Sequence, residues 1–161
     1  MAVRNLIVNA DDLGLCLAIN KGIFDGYKNG FLSSTSLRTN GSGFDNAVKE
    51  IIPECKDLGV GIHLNIVEGK SKLSYKNSLL CKDDFFVRDF GYFLNQFNNK
   101  SLHEEIKSEF RQQIEQALEF TTLDHINSHR HTSMIPYIFE ITCELAEEYG
   151  FLIVNDFAYS D

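Results

Sequence analysis

The sequence predicts an α/β fold, an incomplete (β/α) barrel-like arrangement with about five parallel strands. Short apolar runs of strand length alternate with stretches of helical periodicity along the 161-residue chain. This alternation is typical of parallel β/α units joined by right-handed crossovers. A complete (β/α)₈ barrel needs about 250 residues, so the chain can hold only part of one. No repeat or linker divides it, and we expect a single domain over residues 1–161, shortened at its C-terminal end.

The first part of the chain contains three predicted strands. Asn5–Asn9 has an apolar centre typical of a strand buried on both faces. Leu17–Asn29 follows with apolar residues at helical spacing and a terminal Asn-Gly stop signal. Ser34–Thr39 is a second, more polar strand, and the short helix after it is expected to end at Pro53. Gly59–Leu64 is the third strand.

The pattern weakens over residues 65–100 before the most regular helix begins. Aromatic and turn residues mix there, which favours a long ordered loop with a short helix near Tyr92–Phe97. Ser101 and Glu104 have the spacing of a capping box, with Ser101 as the N-cap. Apolar residues at intervals of four then predict a helix that extends to Leu118.

Two strands and a helix complete the predicted fold. His125–Ser128 is the fourth strand, Pro136 opens a helix that ends at Gly150, and Phe151–Val154 is the fifth strand. The last strand leaves an apolar edge that nothing in this sequence covers. We therefore expect either a second copy of the chain to cover that edge or the sequence to be part of a longer enzyme.

Composition excludes several classes of function. Fifteen Lys and Arg residues against 23 Asp and Glu residues give a net charge of −8, which argues against a nucleic-acid phosphate binder. No apolar run has the length of a membrane span, and no signal-peptide pattern is present. The four cysteines are far apart and form no C-x-x-C pair, as in a reduced chain. We expect a cytoplasmic protein that binds neither nucleic acid nor membranes.

Polar clusters stand where predicted strands end, which is where parallel β/α proteins bind ligands. Asp11 and Asp12 follow the first strand, and two adjacent carboxylates repel unless a cation or hydrogen bonds hold them. His63 lies near the end of the third strand. Taken singly, the acidic pair is compatible with an ordinary turn, and His63 with a hydrogen-bonded core histidine.

A third cluster occupies residues 125–131. If the fourth strand continues through it, period-two alternation places four side chains on one face, those of His125, Asn127, His129 and His131. Three imidazoles on one face at a strand end are difficult to explain by packing. A divalent cation accounts for all three clusters, because imidazole and carboxylate are its ligands and an open coordination position remains for water.

These motifs resemble those of the YdjC-like carbohydrate deacetylases, which are relatives of the polysaccharide deacetylases and act on N-acetylated sugars such as chitooligosaccharides. The resemblance is carried by Leu6–Gly14, Ser33–Thr35, Gly61–Asn65 with Glu68-Gly69, and His125–His131 followed by Pro136. It extends from Asn5 to about Val154 and implies the N-terminal part of a barrel of this kind.

The resemblance implies roles for individual residues. Asp12, His63 and His129 would hold a divalent metal ion, and Asp11 would be the general base that takes a proton from water. The residues implied to contact substrate or to orient the ligands are His125, Asn127 and His131. The chain departs from the family pattern at Asn127, where an Asp is usual, and at Ser133, where a His is frequent.

Several alternatives remain open at this point. Mixed imidazole and carboxylate ligation is compatible with Zn²⁺, whereas Mg²⁺ prefers oxygen ligands. The short chain and Asn127 are also compatible with a catalytically impaired metal- or sugar-binding remnant of such an enzyme. Phosphoester hydrolysis would use the same ligands, but the sequence has no convergent Arg/Lys cluster to hold a phosphate.

Overall fold

The computed structural model describes residues 6–74 and 76–153 of the chain. Five parallel strands form one sheet in the order β1-β2-β3-β6-β7, and a two-stranded hairpin, β4-β5, stands apart from it. The sheet strands are β1 (Asn9–Leu13), β2 (Ser34–Leu37), β3 (Gly59–Leu64), β6 (His125–Ser128) and β7 (Leu152–Ile153), and the hairpin strands are β4 (Cys81–Lys82) and β5 (Phe85–Phe86). The predicted α/β class with five parallel strands is confirmed. Among the described residues the sheet is open rather than closed into a barrel, and β1 and β7 are its edges.

Within residues 6–74 and 76–153, five α-helices connect the strands. They are α1 (Leu17–Asn29), α2 (Phe44–Asn46), α3 (Phe90–Leu94), α4 (Lys100–Leu118) and α5 (Pro136–Tyr149). Helical turns continue from α2 through Glu54, so the expectation that the helix ends at Pro53 is wrong. Proline is accommodated because it stands in the first turn of the final 3₁₀ segment, where its missing N–H is not required.

The sheet has one apolar face and one polar face. In β3, Ile62 and Leu64 are fully buried in the same hydrophobic cluster as Ile106 and Phe110 of α4. Because strand side chains alternate, His63 lies on the opposite face. That second face is lined mainly by polar and small residues, which are Asn9, Asp11, Ser34, Ser36, Gly59, Gly61, His63, His125 and Asn127. Polar residues at the strand ends are typical of a ligand site and not of a packed barrel interior.

The first strand is displaced from its predicted position. Backbone pairing begins at Asn9, opposite Ser34, and the apolar residues Leu6 and Ile7 are 83% and 74% exposed. The prediction of a strand buried on both faces over Asn5–Asn9 is therefore wrong, and Asn5 lies outside the described residues. The apolar run predicted a buried strand, but no described element of the structure covers it. Asp11 and Asp12 consequently belong to β1 itself rather than to a turn after it.

Several other boundaries differ from the prediction. β2 ends at Leu37 rather than at Thr39, and the short helix of the long connection is Phe90–Leu94 rather than Tyr92–Phe97. Asn99, not Ser101, caps α4, since its side chain accepts a hydrogen bond from the Leu102 N–H. The fifth strand is confirmed at Leu152–Ile153, while Val154 lies outside the described residues. Both β7 side chains are exposed at the edge of the sheet, and a second copy that covers them stays a prediction.

In the part of the chain that the structure describes, no helix is both long enough and apolar enough to cross a membrane. The four cysteines, all within that part, are free thiols.

Candidate metal centre

Asp12 leaves the regular path of β1. The pairing of β1 with β2 shifts register between Ala10 and Leu13, and Asp12 adopts a left-handed backbone conformation with a φ of +66°. This conformation is uncommon outside glycine and is concentrated at functional sites in proteins. The irregularity brings the carboxylate of Asp12 to the end of β3, where its Oδ1 lies 3.5 Å from Nε2 of His63.

The side chains of Asp12, His63 and His129 converge at the carboxyl ends of β1, β3 and β6. Asp12 Oδ1 lies 3.1 Å from Nδ1 of His129, and the two imidazole nitrogens, His63 Nε2 and His129 Nδ1, are 3.3 Å apart. One ligand atom from each residue lies within 4.8 Å of the other two. The structure thus brings together the three residues that the family resemblance implies as metal ligands, in a group that could hold a metal ion.

The facing atoms fit a cation. Asp12 Oδ1 is buried and has no hydrogen-bond partner among the described residues. A buried acceptor without a partner costs about 1–3 kcal/mol. A cation between the three side chains would supply the missing interaction, and two imidazoles with one carboxylate are a donor set found in zinc sites.

Asn127 connects one of these ligands to Asp11. Its Oδ1 lies 2.7 Å from Nδ1 of His63, and its Nδ2 donates to Asp11 Oδ1 at 2.9 Å. Because the carboxylate of Asp11 accepts hydrogen bonds, the amide nitrogen faces Asp11 and the amide oxygen is left to accept from His63. His63 then carries its proton on Nδ1 and presents the Nε2 lone pair to the site. Asn9 donates a second hydrogen bond to Asp11 Oδ1, also at 2.9 Å.

The local electrostatics favour the protonation states that bind a cation. Burial alone would raise the pKa of Asp12, but its contact with His129 and the nearby charges of His63 and Arg38 hold the pKa below its ordinary value. Burial lowers the pKa of His63, against the opposing effect of Asp11 and Asn127. An ionised carboxylate therefore faces a neutral imidazole at neutral pH.

Two charged residues that sequence reasoning left without a role border the site. Glu68 Oε2 lies 3.0 Å from Nε2 of His129 and 3.4 Å from Nη1 of Arg38. The Arg38 side chain is only 1% exposed, and its Nη1 is 3.5 Å from Asp12 Oδ1. An arginine in the predicted strand Ser34–Thr39 was a signal that could have singled out Arg38, because a buried charge needs a partner.

His125 lies on the polar face but faces other partners. Its Nε2 is 3.3 Å from the Ser36 hydroxyl, and its Nδ1 is 2.5 Å from Asp124 Oδ1. The ring packs over Gly61, where an added Cβ would approach ring atoms to 2.3–2.5 Å. The glycine in β3 therefore makes room for this imidazole. Ser36 accepts a further hydrogen bond from Asn9, so the network leads back towards Asp11.

His131 does not share a face with the other three residues of its cluster. The fourth strand ends at Ser128, and a 3₁₀ segment extends over His129–Met134. Arg130 and His131 both have left-handed backbone conformations, with φ of +51° and +54°. The expectation that alternation continues through His131 is wrong, because the backbone turns immediately after His129. The side chain of His131 is exposed.

Fold and site together define a parallel α/β protein with an Asp–His–His group suited to a divalent cation at the carboxyl ends of its strands. The profile of the family described as YdjC-like protein matches residues 5–159. The chain belongs to this family.

Relatives with assigned names point in the same direction. The chain is 36% identical over 146 residues to a carbohydrate deacetylase of Clostridium beijerinckii, covering 90% of this chain and 57% of that protein. It is 34% identical over 151 residues to a carbohydrate deacetylase of Thermoanaerobacter pseudethanolicus, covering 92% of this chain and 59% of that protein. The chain thus spans less than two thirds of the length of either relative.

A solved structure has the same fold. It is the crystal structure of a protein of Enterococcus faecalis V583 named for cellobiose-phosphate cleavage, with a TM-score of 0.81 and 25% sequence identity. The match covers 95% of this chain and 59% of that one. The arrangement of β1, β2, β3, β6 and β7 is therefore an architecture found in a longer protein.

Proposed function

We propose that the chain carries the metal centre of a metal-dependent carbohydrate deacetylase, a hydrolase that removes acetyl groups from N-acetylated sugars of the chitooligosaccharide type. The single observation that carries this proposal is the meeting of Asp12, His63 and His129 around a buried carboxylate oxygen that accepts no hydrogen bond from the described residues. The names of the relatives supply the reaction class and the carbohydrate substrate.

Asp12, His63 and His129 would hold the ion. When bound, a divalent cation supplies Lewis-acid polarisation of a carbonyl oxygen and lowers the pKa of water at the site. Two imidazoles and one carboxylate suit Zn²⁺, while Mg²⁺ prefers oxygen ligands, so both ions belong in the assay.

Asp11 is the base in this proposal. Amide donors from Asn9 and Asn127 both bind its Oδ1, which fixes the plane of the carboxylate and leaves Oδ2 to take a proton. Water that loses its proton to Asp11 adds to the acetamide carbonyl carbon, and the carbon–nitrogen bond then breaks. The proton held by Asp11 passes to the departing amine, so the products are acetate and the free amino sugar.

A binding protein without turnover is the second candidate. It is favoured by one observation: the chain spans only 57% and 59% of the length of the two relatives that are named as deacetylases. The Asn127 departure supports this candidate less, because Asn127 still provides an acceptor for His63. Phosphoester hydrolysis is disfavoured, because the buried Arg38 already faces Asp12 and Glu68.

The test is acetate release from N-acetylglucosamine oligomers with added Zn²⁺ or Mg²⁺. We expect release that a chelator abolishes and that His63→Ala removes, because His63 supplies one of three ligands. His103 is half-buried on α4, where its partners are Gln96 and Tyr137 rather than the three proposed ligands, and His103→Ala is the control that should retain activity. Release that survives both the chelator and His63→Ala would contradict the proposal. Metal and oligosaccharide binding without release would support the second candidate.

A further inference from the structure

Glu68 contacts a proposed metal ligand from outside the group of three. Its Oε2 lies 3.0 Å from His129 Nε2. Arg38 Nη1 is farther from the same nitrogen, at 3.5 Å. The closer carboxylate accepts a hydrogen bond, so the ring carries its proton on Nε2. The lone pair of Nδ1 is then directed at the site, where Nδ1 lies 3.1 Å from Asp12 Oδ1. Glu68 thereby selects the tautomer of His129 that can bind a cation through Nδ1.

The backbone of Glu68 is fixed by side chains that converge on it. Asn65 accepts from the Glu68 N–H and donates to the Glu68 carbonyl oxygen, the latter at 2.6 Å. Arg38 and Asn40 donate to the same carbonyl oxygen at 3.1 and 3.2 Å. Gln113 of α4 in turn binds both the N–H and the carbonyl oxygen of Asn65. An exposed loop residue held by this many contacts is positioned for a purpose beyond the loop itself.

Glu68 also shares the buried guanidinium of Arg38. Nη1 of Arg38 lies 3.4 Å from Glu68 Oε2 and 3.5 Å from Asp12 Oδ1. Without the Glu68 carboxylate, Asp12 would be the remaining acidic partner of a cation that is almost completely buried. A guanidinium drawn to Asp12 would compete with a metal ion for the same oxygen, because both need its negative charge.

We propose that Glu68 is a positioning residue of the metal centre, which orients His129 through Nε2 and shares the charge of Arg38 with Asp12. This inference rests on the proposed function for its metal ion. Carboxylates that orient a ligating histidine typically change metal affinity by about 10–100-fold when they are lost. Glu68 therefore sets how tightly this chain holds its cation without being one of the three proposed ligands.

The experiment measures metal affinity rather than activity. The whole chain, its Glu68→Gln variant and a control are titrated with Zn²⁺ by calorimetry and with Co²⁺ by visible absorption. Glu148→Gln is a matched control, because Glu148 is 46% exposed against 48% for Glu68, and each carboxylate pairs with an arginine. We expect Glu68→Gln to bind both ions about 10–100-fold more weakly and to shift the Co²⁺ bands. Glu148→Gln should match the wild type.

Melting of the metal-free proteins separates positioning from folding. We expect the metal-free Glu68→Gln variant to melt as the wild type does. Unchanged affinity and an unchanged Co²⁺ spectrum in Glu68→Gln would overturn the inference, as would an affinity loss accompanied by an equal loss of metal-free stability. A wild-type chain that binds metal but releases no acetate would contradict the proposed function alone. The metal affinities of the wild type and of Glu68→Gln would then still test the role of Glu68. A wild-type chain that binds no metal would overturn both.

Discussion

Asp12 and Glu109 are acidic side chains in the fold whose surroundings are opposite in kind. Glu109 is fully buried and accepts hydrogen bonds from the Ser71 hydroxyl, the backbone N–H groups of Lys72 and Leu73, and the Gln113 amide. Asp12 Oδ1 is also buried, but it accepts no hydrogen bond from the described residues, and the groups around it are two imidazoles and the Arg38 guanidinium. A saturated carboxylate has no capacity left for a ligand, whereas an unsaturated one facing two imidazoles does. The contrast separates a structural anchor from a candidate binding site.

Glu109 supports the candidate site indirectly. Glu109 fastens the segment just after Glu68 to α4, and Glu105, one turn earlier, accepts from the N–H groups of Leu79 and Leu80. The long connection between β3 and α4 has little secondary structure of its own. Its order therefore comes from carboxylates on α4, and this order in turn places Glu68 beside His129.

Asp11→Asn is expected to have the largest effect of the three variants, and it tests the proposed catalytic role of the site. Loss of a general base lowers kcat by about 10²–10⁴-fold, whereas metal affinity should change much less, because Asp11 acts on the ligand His63 only through Asn127. Steady-state acetate release and Zn²⁺ calorimetry measure the two quantities. A variant with full kcat would remove Asp11 from the proposed mechanism.

Glu109→Ala tests whether the hydrogen bonds accepted by Glu109 stabilise the fold. The change leaves several buried donors without an acceptor, at about 1–3 kcal/mol for each. We expect the free energy of unfolding to fall by about 3 kcal/mol, measured by urea denaturation of the metal-free chain. The control is Glu104→Ala on the exposed side of α4, which should change stability by less than about 0.5 kcal/mol. Equal losses in both variants would show that the saturated network is not what stabilises the loop.

Asn127→Ala is expected to have the smallest effect of the three variants. It tests the hydrogen bonds through which Asn127 joins the proposed base Asp11 to the proposed ligand His63. Loss of the amide frees the His63 ring and removes one of two donors to Asp11. We expect metal affinity to fall by about 10-fold, at the low end of the range for such partners, because β3 still holds His63 in place. Zn²⁺ calorimetry on the variant measures this. Wild-type affinity would mean that Asn127 does not support His63.

The sequence predicted the sheet well where strands are paired on both sides. β3 and β6 have the predicted limits, because their core-facing residues alternate with small or polar ones on the second face. Prediction failed at β1, because the apolar residues before Asn9 are exposed, and at His131, because the backbone turns through left-handed residues that are not glycine. Neither feature has a local sequence signal.

The site was predictable only in part for the same reason. Asp12, His63 and His129 each follow from a motif near a strand end, so their convergence follows once the strand order is known. Glu68 was visible in a motif, but its contact with His129 depends on the path of a loop that α4 holds from a distance. Such a contact arises from tertiary structure and cannot be read from spacing.

Anomalous X-ray diffraction from crystals of the chain grown with Zn²⁺ shows directly whether the three residues hold a metal ion. We predict one ion per chain at about 2.0–2.2 Å from a carboxylate oxygen of Asp12, Nε2 of His63 and Nδ1 of His129. We also predict Glu68 still bound to Nε2 of His129. An ion held instead by His125 or His131, or the absence of an anomalous peak between the three residues, would contradict the proposed metal centre.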